Sequence, residues 1–136
     1  MKPGRIKPPM GHDNAWWWQQ AAEDKLAIQR CSGCQVLRHP PRPMCDRCRS
    51  MEWDFIIAKG EAKVISFTVL HHPKFPGYSY PLPIVLAELA EGTRYIAELI
   101  DCDVERITRG MRLQVTTQTD DDGFKIPVFR PATGSE

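Results

Sequence analysis

The sequence predicts a mainly β protein that starts with one helix, passes through a small cysteine module and ends in a five-stranded barrel. Three observations carry this expectation. After Lys59-Gly60, apolar and polar residues alternate with period two in successive short runs. Ahead of them stand two C-x-x-C pairs separated by ten residues. Before those, one stretch alone shows apolar residues at intervals of three and four. The expected organisation is an extended arm over 1–12, helix plus cysteine module over 13–58, barrel over 59–132 and a tail over 133–136.

The arm holds three prolines, two glycines and no periodicity, which reads as extended chain, either mobile or laid along a partner. Asp13 or Asn14 can cap a helix over about 14–25. On it Ala15, Trp18, Ala22 and Leu26 form one stripe expected to face the core. Trp16, Trp17 and Trp18 sweep about 200° around a helix, so at least one indole needs other cover, from the barrel, the arm or a partner.

From Ala27 to Phe55 the chain reads as two short hairpins with a cysteine pair at each turn. Cys31-Ser32-Gly33-Cys34 and Cys45-Asp46-Arg47-Cys48 can offer four thiolates in a tetrahedron about 2.3 Å from a Zn²⁺. Gly33 fits a position that can require positive φ. Arg30, Arg38, Arg42 and Arg47 would ease the double negative charge of the site. Disulfides do not suit a chain without a secretion signal, and a redox pair would be expected near a βαβ pattern that is absent. An iron–sulfur cluster is the remaining alternative to structural zinc. Four thiolates close the coordination sphere, so the metal is expected to supply folding energy rather than catalysis. Cys102 reads as a buried free thiol.

In the barrel, Ile65, Phe67 and Val69 alternate with Ser66 and Thr68. Val85, Ala87 and Leu89 share one face, as do Tyr95, Ala97 and Leu99. Met111, Leu113 and Val115 lead to Asp120-Asp121-Asp122-Gly123, a hairpin turn into Phe124–Phe129. Asp103–Arg109, ending at Gly110, reads as one short helix after the third strand. Five strands with that insertion match the order of an OB-fold barrel. Pro127 places the last strand at an edge or ends it.

Hydrophobic residues make up 42% and charged residues 26% of 136, with no apolar run of the ~20 residues that would span a bilayer. Met1–Met10 lacks the apolar stretch of a signal peptide, so the cytoplasm is the expected location. A net charge of +1 gives no global field for gathering phosphate backbone. No G-x-S-x-G, Walker, G-x-G-x-x-G or H-E-x-x-H motif occurs. His71 and His72 could act as acid or base, but no orienting partner is evident. They precede Pro73-Lys74-Phe75-Pro76-Gly77-Tyr78-Ser79-Tyr80-Pro81, a proline-stiffened aromatic loop that would cover the barrel mouth or present a binding surface. Asp120–Asp122 are read as solvated turn formers and not as a cation site.

Several motifs together carry a resemblance: Gln29-Arg30-Cys31, Arg38-His39-Pro40-Pro41-Arg42-Pro43, Cys45-Asp46-Arg47-Cys48 followed by Trp53, and Val64-Ile65-Ser66-Phe67-Thr68-Val69. Leu86-Ala87-Glu88-Leu89 with Gly92, Gly110-Met111 and Pro127-Val128-Phe129-Arg130-Pro131 complete it. Over about residues 13–132 the chain resembles the OB-fold, zinc-ribbon, acyl-CoA-associated proteins known as domain of unknown function 35. The resemblance implies a rubredoxin-like zinc ribbon, with zinc on Cys31, Cys34, Cys45 and Cys48, joined to an OB-fold. It also implies a thiolase-like enzyme as partner and, in some members, an attached MaoC-like hydratase. The tryptophans near Asn14 and the Tyr78–Pro83 loop look most like the group that serves steroid side-chain aldolases.

The function this implies is that of a non-catalytic accessory subunit that helps form the partner's acyl-CoA site for retro-aldol cleavage, a lyase reaction. Service to an acyl-CoA thiolase or acetyltransferase is the alternative. Trp16 or Trp17, His72, Phe75, Tyr78 and Tyr80 are the candidates for the shared surface. An OB-fold with a zinc ribbon also suits a single-strand nucleic-acid binder. Against that, the strand faces carry Ser66, Thr68, Glu88, Glu98 and Gln114 with little clustered Lys or Arg.

Overall fold

In the computed structural model, residues 6–132 are described; the first five residues of the expected arm and the expected tail lie outside the described residues. Helix α1 spans Ala15–Ala21 and is followed by β1 (Ala27–Cys31), β2 (Leu37–Arg38) and β3 (Trp53–Ile57). These strands form an antiparallel sheet in the order β2-β1-β3. The barrel follows with β4 (Glu61–Leu70), β5 (Leu82–Leu89), β6 (Arg94–Glu98), β7 (Arg112–Thr119) and β8 (Lys125–Pro131), ordered β6-β5-β4-β7-β8. A parallel bridge between Leu99 and Phe129 brings the two outer strands together and nearly closes the cylinder. This is the expected mainly β architecture of helix, zinc ribbon and five-stranded OB-fold barrel.

The helix is shorter than the expected 14–25. Asn14 occupies the cap position without capping. Its Oδ1 instead accepts a hydrogen bond from the Gly11 N–H at 2.7 Å, and its Nδ2 donates to the Pro9 carbonyl at 3.2 Å. At the other end Asp24 takes φ 65° and turns the chain out of helical register. Leu26 is therefore not on the helix, and the buried stripe is Trp17 and Ala21 rather than Ala15, Trp18 and Ala22. Trp17 is 5% exposed, and its Nε1 donates to the Ala27 carbonyl at 2.9 Å.

All three indoles find cover within the chain. Trp16 packs on Trp53 and Phe55 of β3, with ring centroids 4.9 and 5.1 Å away. Trp17 sits against His39 and Tyr95, and Trp18 lies 5.3 Å from the Phe124 ring. The described part of the arm lies against the same chain's barrel: Lys7 pairs with Asp122 of the β7–β8 turn and stands over the Phe124 ring. Asp122, read as a solvated turn former, thus holds the arm.

One apolar core runs through both modules. Trp17, Ala21, Leu26, Ala27 and Ile28 are buried in the same cluster as barrel residues including Val64, Val85, Leu113 and Phe129. Alternation decides the inner face: on β5, Val85, Ala87 and Leu89 are buried while Ile84, Leu86 and Glu88 are half-exposed. A bulge at Ile65 interrupts the β4–β5 register and helps the sheet curl. Gly60, at φ 95°, opens the barrel where a Cβ would stand 2.7 Å from the Gln114 amide nitrogen. The expected helix over Asp103–Arg109 is only a 3-10 turn, Val104–Arg106. It stops because Ile107 goes extended and drops into the core at 5% exposure. Pro127 lies inside β8, which is an outer strand of the sheet, so its missing N–H costs no ladder bond on a central strand.

Candidate metal centre and partner surface

Two backbone knuckles of the same construction bring the four cysteines together. In the first, the Gln35 N–H bonds to the Cys31 carbonyl at 2.9 Å and the Cys31 N–H to the Val36 carbonyl at 2.9 Å. In the second, the Arg49 N–H bonds to the Cys45 carbonyl at 3.0 Å and the Cys45 N–H to the Ser50 carbonyl at 3.0 Å. Each knuckle turns on the residue after its second cysteine, Gln35 at φ 68° and Arg49 at φ 64°. The positive φ expected at Gly33 thus falls elsewhere. Gly33 is required for space, because a Cβ there would meet Cys48 Sγ at 3.2 Å and the Ser50 side chain at 3.3 Å.

The four Sγ atoms lie within 4.8 Å of one another, with Cys31–Cys48 at 3.4 Å and Cys34–Cys45 at 3.6 Å. A tetrahedron with arms of 2.3 Å has edges of about 3.8 Å, so the donor set fits one Zn²⁺. A zinc ion held there ties the two knuckles and contributes folding energy. Cys31 and Cys45 are buried, while Cys34 and Cys48 face solvent. Backbone N–H groups prepare the thiolates: those of Gly33 and Cys34 point at Cys31 Sγ from 3.3 and 3.5 Å, and that of Arg47 at Cys45 Sγ from 3.4 Å. The Cys34 N–H first, aided by the Cys48 thiol and the Gly33 N–H, draws the Cys31 thiol down to about 6.

Two of the arginines expected to neutralise the site, Arg30 and Arg38, have other side-chain partners. Arg30 makes a two-pronged pair with Asp54 across β1 and β3, both contacts 2.8 Å. Arg38 is 4% exposed and donates from Nε to Gln29 Oε1 at 2.9 Å and from Nη2 to the Arg42 carbonyl at 2.8 Å. Gln29 Oε1 also accepts from the Arg42 N–H at 2.8 Å. This buried net fixes the strap 38–43 that leads to the second knuckle. The strap's prolines withhold N–H donors. The second cysteine pair accordingly lies in the loop between β2 and β3 and not on a second hairpin.

The candidates for a shared surface are dispersed. Trp17 is in the core, which leaves Trp16, half-buried on the ribbon, as the indole nearer the surface. In the loop between β4 and β5, His72 and Phe75 are exposed, Phe75 by 49%, and Tyr78 and Tyr80 are half-buried. The Tyr80 hydroxyl accepts the Phe75 N–H at 2.9 Å, which folds the loop on itself. His71 is likewise exposed. Cys102 is half-buried, and its thiol donates to the Asp103 carbonyl at 3.4 Å; burial, with Asp103 beside it, pushes the thiol up. Sequence reasoning missed the His39, Tyr95 and Trp17 cluster. The inward phase of Tyr95 on its strand was the available signal.

No helix among the described residues is long and apolar enough to cross a membrane.

Two family models match the chain: the rubredoxin-like zinc ribbon domain of ChsH2 over residues 18–54, and the C-terminal OB-fold domain of ChsH2 over residues 57–118. A probable enoyl-CoA hydratase alpha subunit from Thermomonospora curvata is 40% identical over 97% of the chain. The 3-oxo-4,17-pregnadiene-20-carboxyl-CoA hydratase alpha subunit of Mycobacterium tuberculosis is 36% identical over 82%. The chain spans only 41% and 35% of those two proteins. A DUF35 domain-containing scaffold protein of Pyrococcus furiosus is 32% identical over 88% of the chain and 93% of its own length. Among solved structures, a chain of an Ltp2-ChsH2(DUF35) aldolase superposes with TM-score 0.89 at 40% identity, covering 93% of this chain and 100% of that one. A DUF35 protein of unknown function from Sulfolobus solfataricus, 14% identical with TM-score 0.62, shares the fold. Knuckle geometry, strand order and full-length likeness agree, and the chain belongs to the DUF35 family of zinc-ribbon and OB-fold proteins, of the ChsH2 type.

Proposed function

We propose that this chain is the non-catalytic accessory subunit of an acyl-CoA enzyme, docking on a thiolase-like partner and helping to form its acyl-CoA site. The observation that carries this reading is the likeness to a chain of an Ltp2-ChsH2(DUF35) aldolase along the whole of that chain. In the finer form, the partner cleaves a steroid side-chain acyl-CoA by retro-aldol chemistry. The carboxyl-CoA hydratase named among the relatives supports a substrate of that kind. The exposed loop of His72, Phe75, Tyr78 and Tyr80, with Trp16, is the surface offered to the partner. The zinc holds the ribbon's shape and takes no part in the reaction.

Co-purification from the native gene neighbourhood tests the docking: a thiolase-like chain should come down with this one, and its cleavage of an acyl-CoA should fall when this chain is withheld. Recovery of no such partner, or a partner equally active alone, overturns the proposal. The archaeal relatives named as scaffold proteins favour a second reading, in which the chain holds a thiolase or acyltransferase next to another enzyme. Acyl transfer in place of retro-aldol cleavage by the recovered complex would select it.

A further inference from the structure

An open pocket of about 320 Å³ lies between the ribbon and the barrel, at the low end of the ~300–1,000 Å³ usual for small-molecule sites. Four arginines line it: Arg38 and Arg42 on the strap, Arg47 between the cysteines of the second knuckle, and Arg94 at the start of β6 in the barrel. Thr93 adds a hydroxyl, and Asp46 is the one carboxylate on the lining among the described residues. Arg42, Arg47 and Arg94 are exposed, and none of them pairs with a carboxylate among the described residues. The pocket therefore carries an excess of positive charge, which the double negative charge of a zinc tetrathiolate beside it offsets only in part.

Arg38 differs from the other three in being buried. It is 4% exposed, and its two hydrogen-bond partners, Gln29 Oε1 and the Arg42 carbonyl, are both neutral. Its Nη1 is closed to solvent and has no partner among the described residues. A guanidinium held in this way is costly, and an anion in the pocket lowers that cost through its field, without touching Nη1. Direct contacts fall to the exposed arginines. These stand on three separate segments, which suits a tetrahedral phosphoryl group with oxygens in several directions better than a carboxylate with two in one plane. A dianion also matches the excess of charge more closely than a monoanion does. The small volume takes one such group and not a track of backbone phosphates.

We propose that this pocket is a phosphate site, taking one phosphoryl dianion, free or at the end of a small ester, held by Arg42, Arg47 and Arg94 over the buried charge of Arg38. An anion bound there ties the second knuckle to the barrel. None of the residues assigned to the partner surface lines the pocket, and the test needs this chain alone, so the site stands or falls independently of the docking proposal.

The test titrates the full, zinc-loaded chain with inorganic phosphate at constant ionic strength and follows the Arg47, Thr93 and Arg94 amides by nuclear magnetic resonance. Saturable one-to-one shifts are expected at these amides. Arg47→Gln and Arg94→Gln, both at exposed positions, should each weaken binding about fivefold. The double variant should weaken it about 25-fold. Arg109→Gln, off the pocket lining, should leave it unchanged. Acetate should bind at least about tenfold more weakly than phosphate. Ribose 5-phosphate tells the two sources apart: tighter binding than inorganic phosphate assigns the site to a small ester, equal or weaker binding to the free ion, and both uphold the site. No saturation, undiminished affinity in the double variant, or acetate as tight as phosphate would overturn the proposal. So would a single-stranded oligonucleotide that binds more tightly than both phosphate probes with the steep salt dependence of many phosphate contacts. Should one arginine variant fail to fold, the other and the acetate comparison still decide.

Discussion

Trp17→Phe tests whether ribbon and barrel are one cooperative structure. The substitution keeps an aromatic ring in the core but removes the Nε1 donor that meets the Ala27 carbonyl at 2.9 Å, and with it part of the contact to His39 and Tyr95. A buried carbonyl losing its donor costs about 1–2 kcal/mol, and the lost ring volume adds roughly 1 kcal/mol. The expected loss is about 2–3 kcal/mol, or roughly 30- to 150-fold in the folding equilibrium. Trp16→Phe is the internal reference: that indole is half-buried and donates to the exposed Asp13 carbonyl at 2.9 Å, so it should cost under about 1 kcal/mol. Urea unfolding of the zinc-loaded proteins, read by far-ultraviolet dichroism on ribbon and barrel together, gives both values. Trp17→Phe costing under about 1 kcal/mol, or no more than Trp16→Phe, would refute the reasoning.

Three further outcomes are expected. Chelating the metal should unfold residues 27–57 and lower the barrel's unfolding midpoint as well, because Leu26, Ala27 and Ile28 belong to the common core; an unchanged barrel midpoint counts against this. Arg49→Gly should raise the melting temperature of the zinc form, since a left-handed residue with a side chain gives up about 1 kcal/mol; Gln35→Gly should gain less, because it forfeits the Gln35 bond to the Ser32 carbonyl. Burial holds His39 at about 4 against an ordinary 6.5. The unfolded chain therefore binds the extra proton between these values, and the stability contribution is full above pH 6.5 and lost as pH falls toward 4. The contribution is about 3 kcal/mol, and His39→Gln should flatten the pH dependence of the urea midpoint over that window, while an identical slope would disprove it.

Much of this molecule is written locally, and so was readable in one dimension. Four cysteines at two short spacings define a metal tetrahedron whatever the rest of the chain does. Likewise Val85-Ala87-Leu89 and Tyr95-Ala97-Leu99 fix their inner faces by parity alone. What escaped depends on contacts made at a distance. The helix stripe was misplaced by one residue because Asp24 ends the helix before Leu26 can join it, a consequence of the turn into β1. Gly33 was given a conformational reason, whereas its requirement is steric and comes from Cys48 and Ser50 of the other knuckle. The arm's docking on Phe124 and Asp122, and the meeting of His39 with Tyr95, join segments far apart in sequence. No periodicity announces such pairs.

The barrel's seam carries a consequence of its own. Elsewhere each strand is laced to its neighbour by a ladder, but β6 and β8 meet through the Leu99–Phe129 bridge, where the Ile100 N–H reaches the Phe129 carbonyl at 2.8 Å. The cylinder is thus fastened by a clasp that can open while every ladder stays intact. A half-open cleft lies beside that clasp, bordered by Ile96–Glu98 on one side and Ile126–Val128 on the other. A molecule seated there would span the gap like a staple, and the exchange rate of the single Ile100 amide would register its arrival.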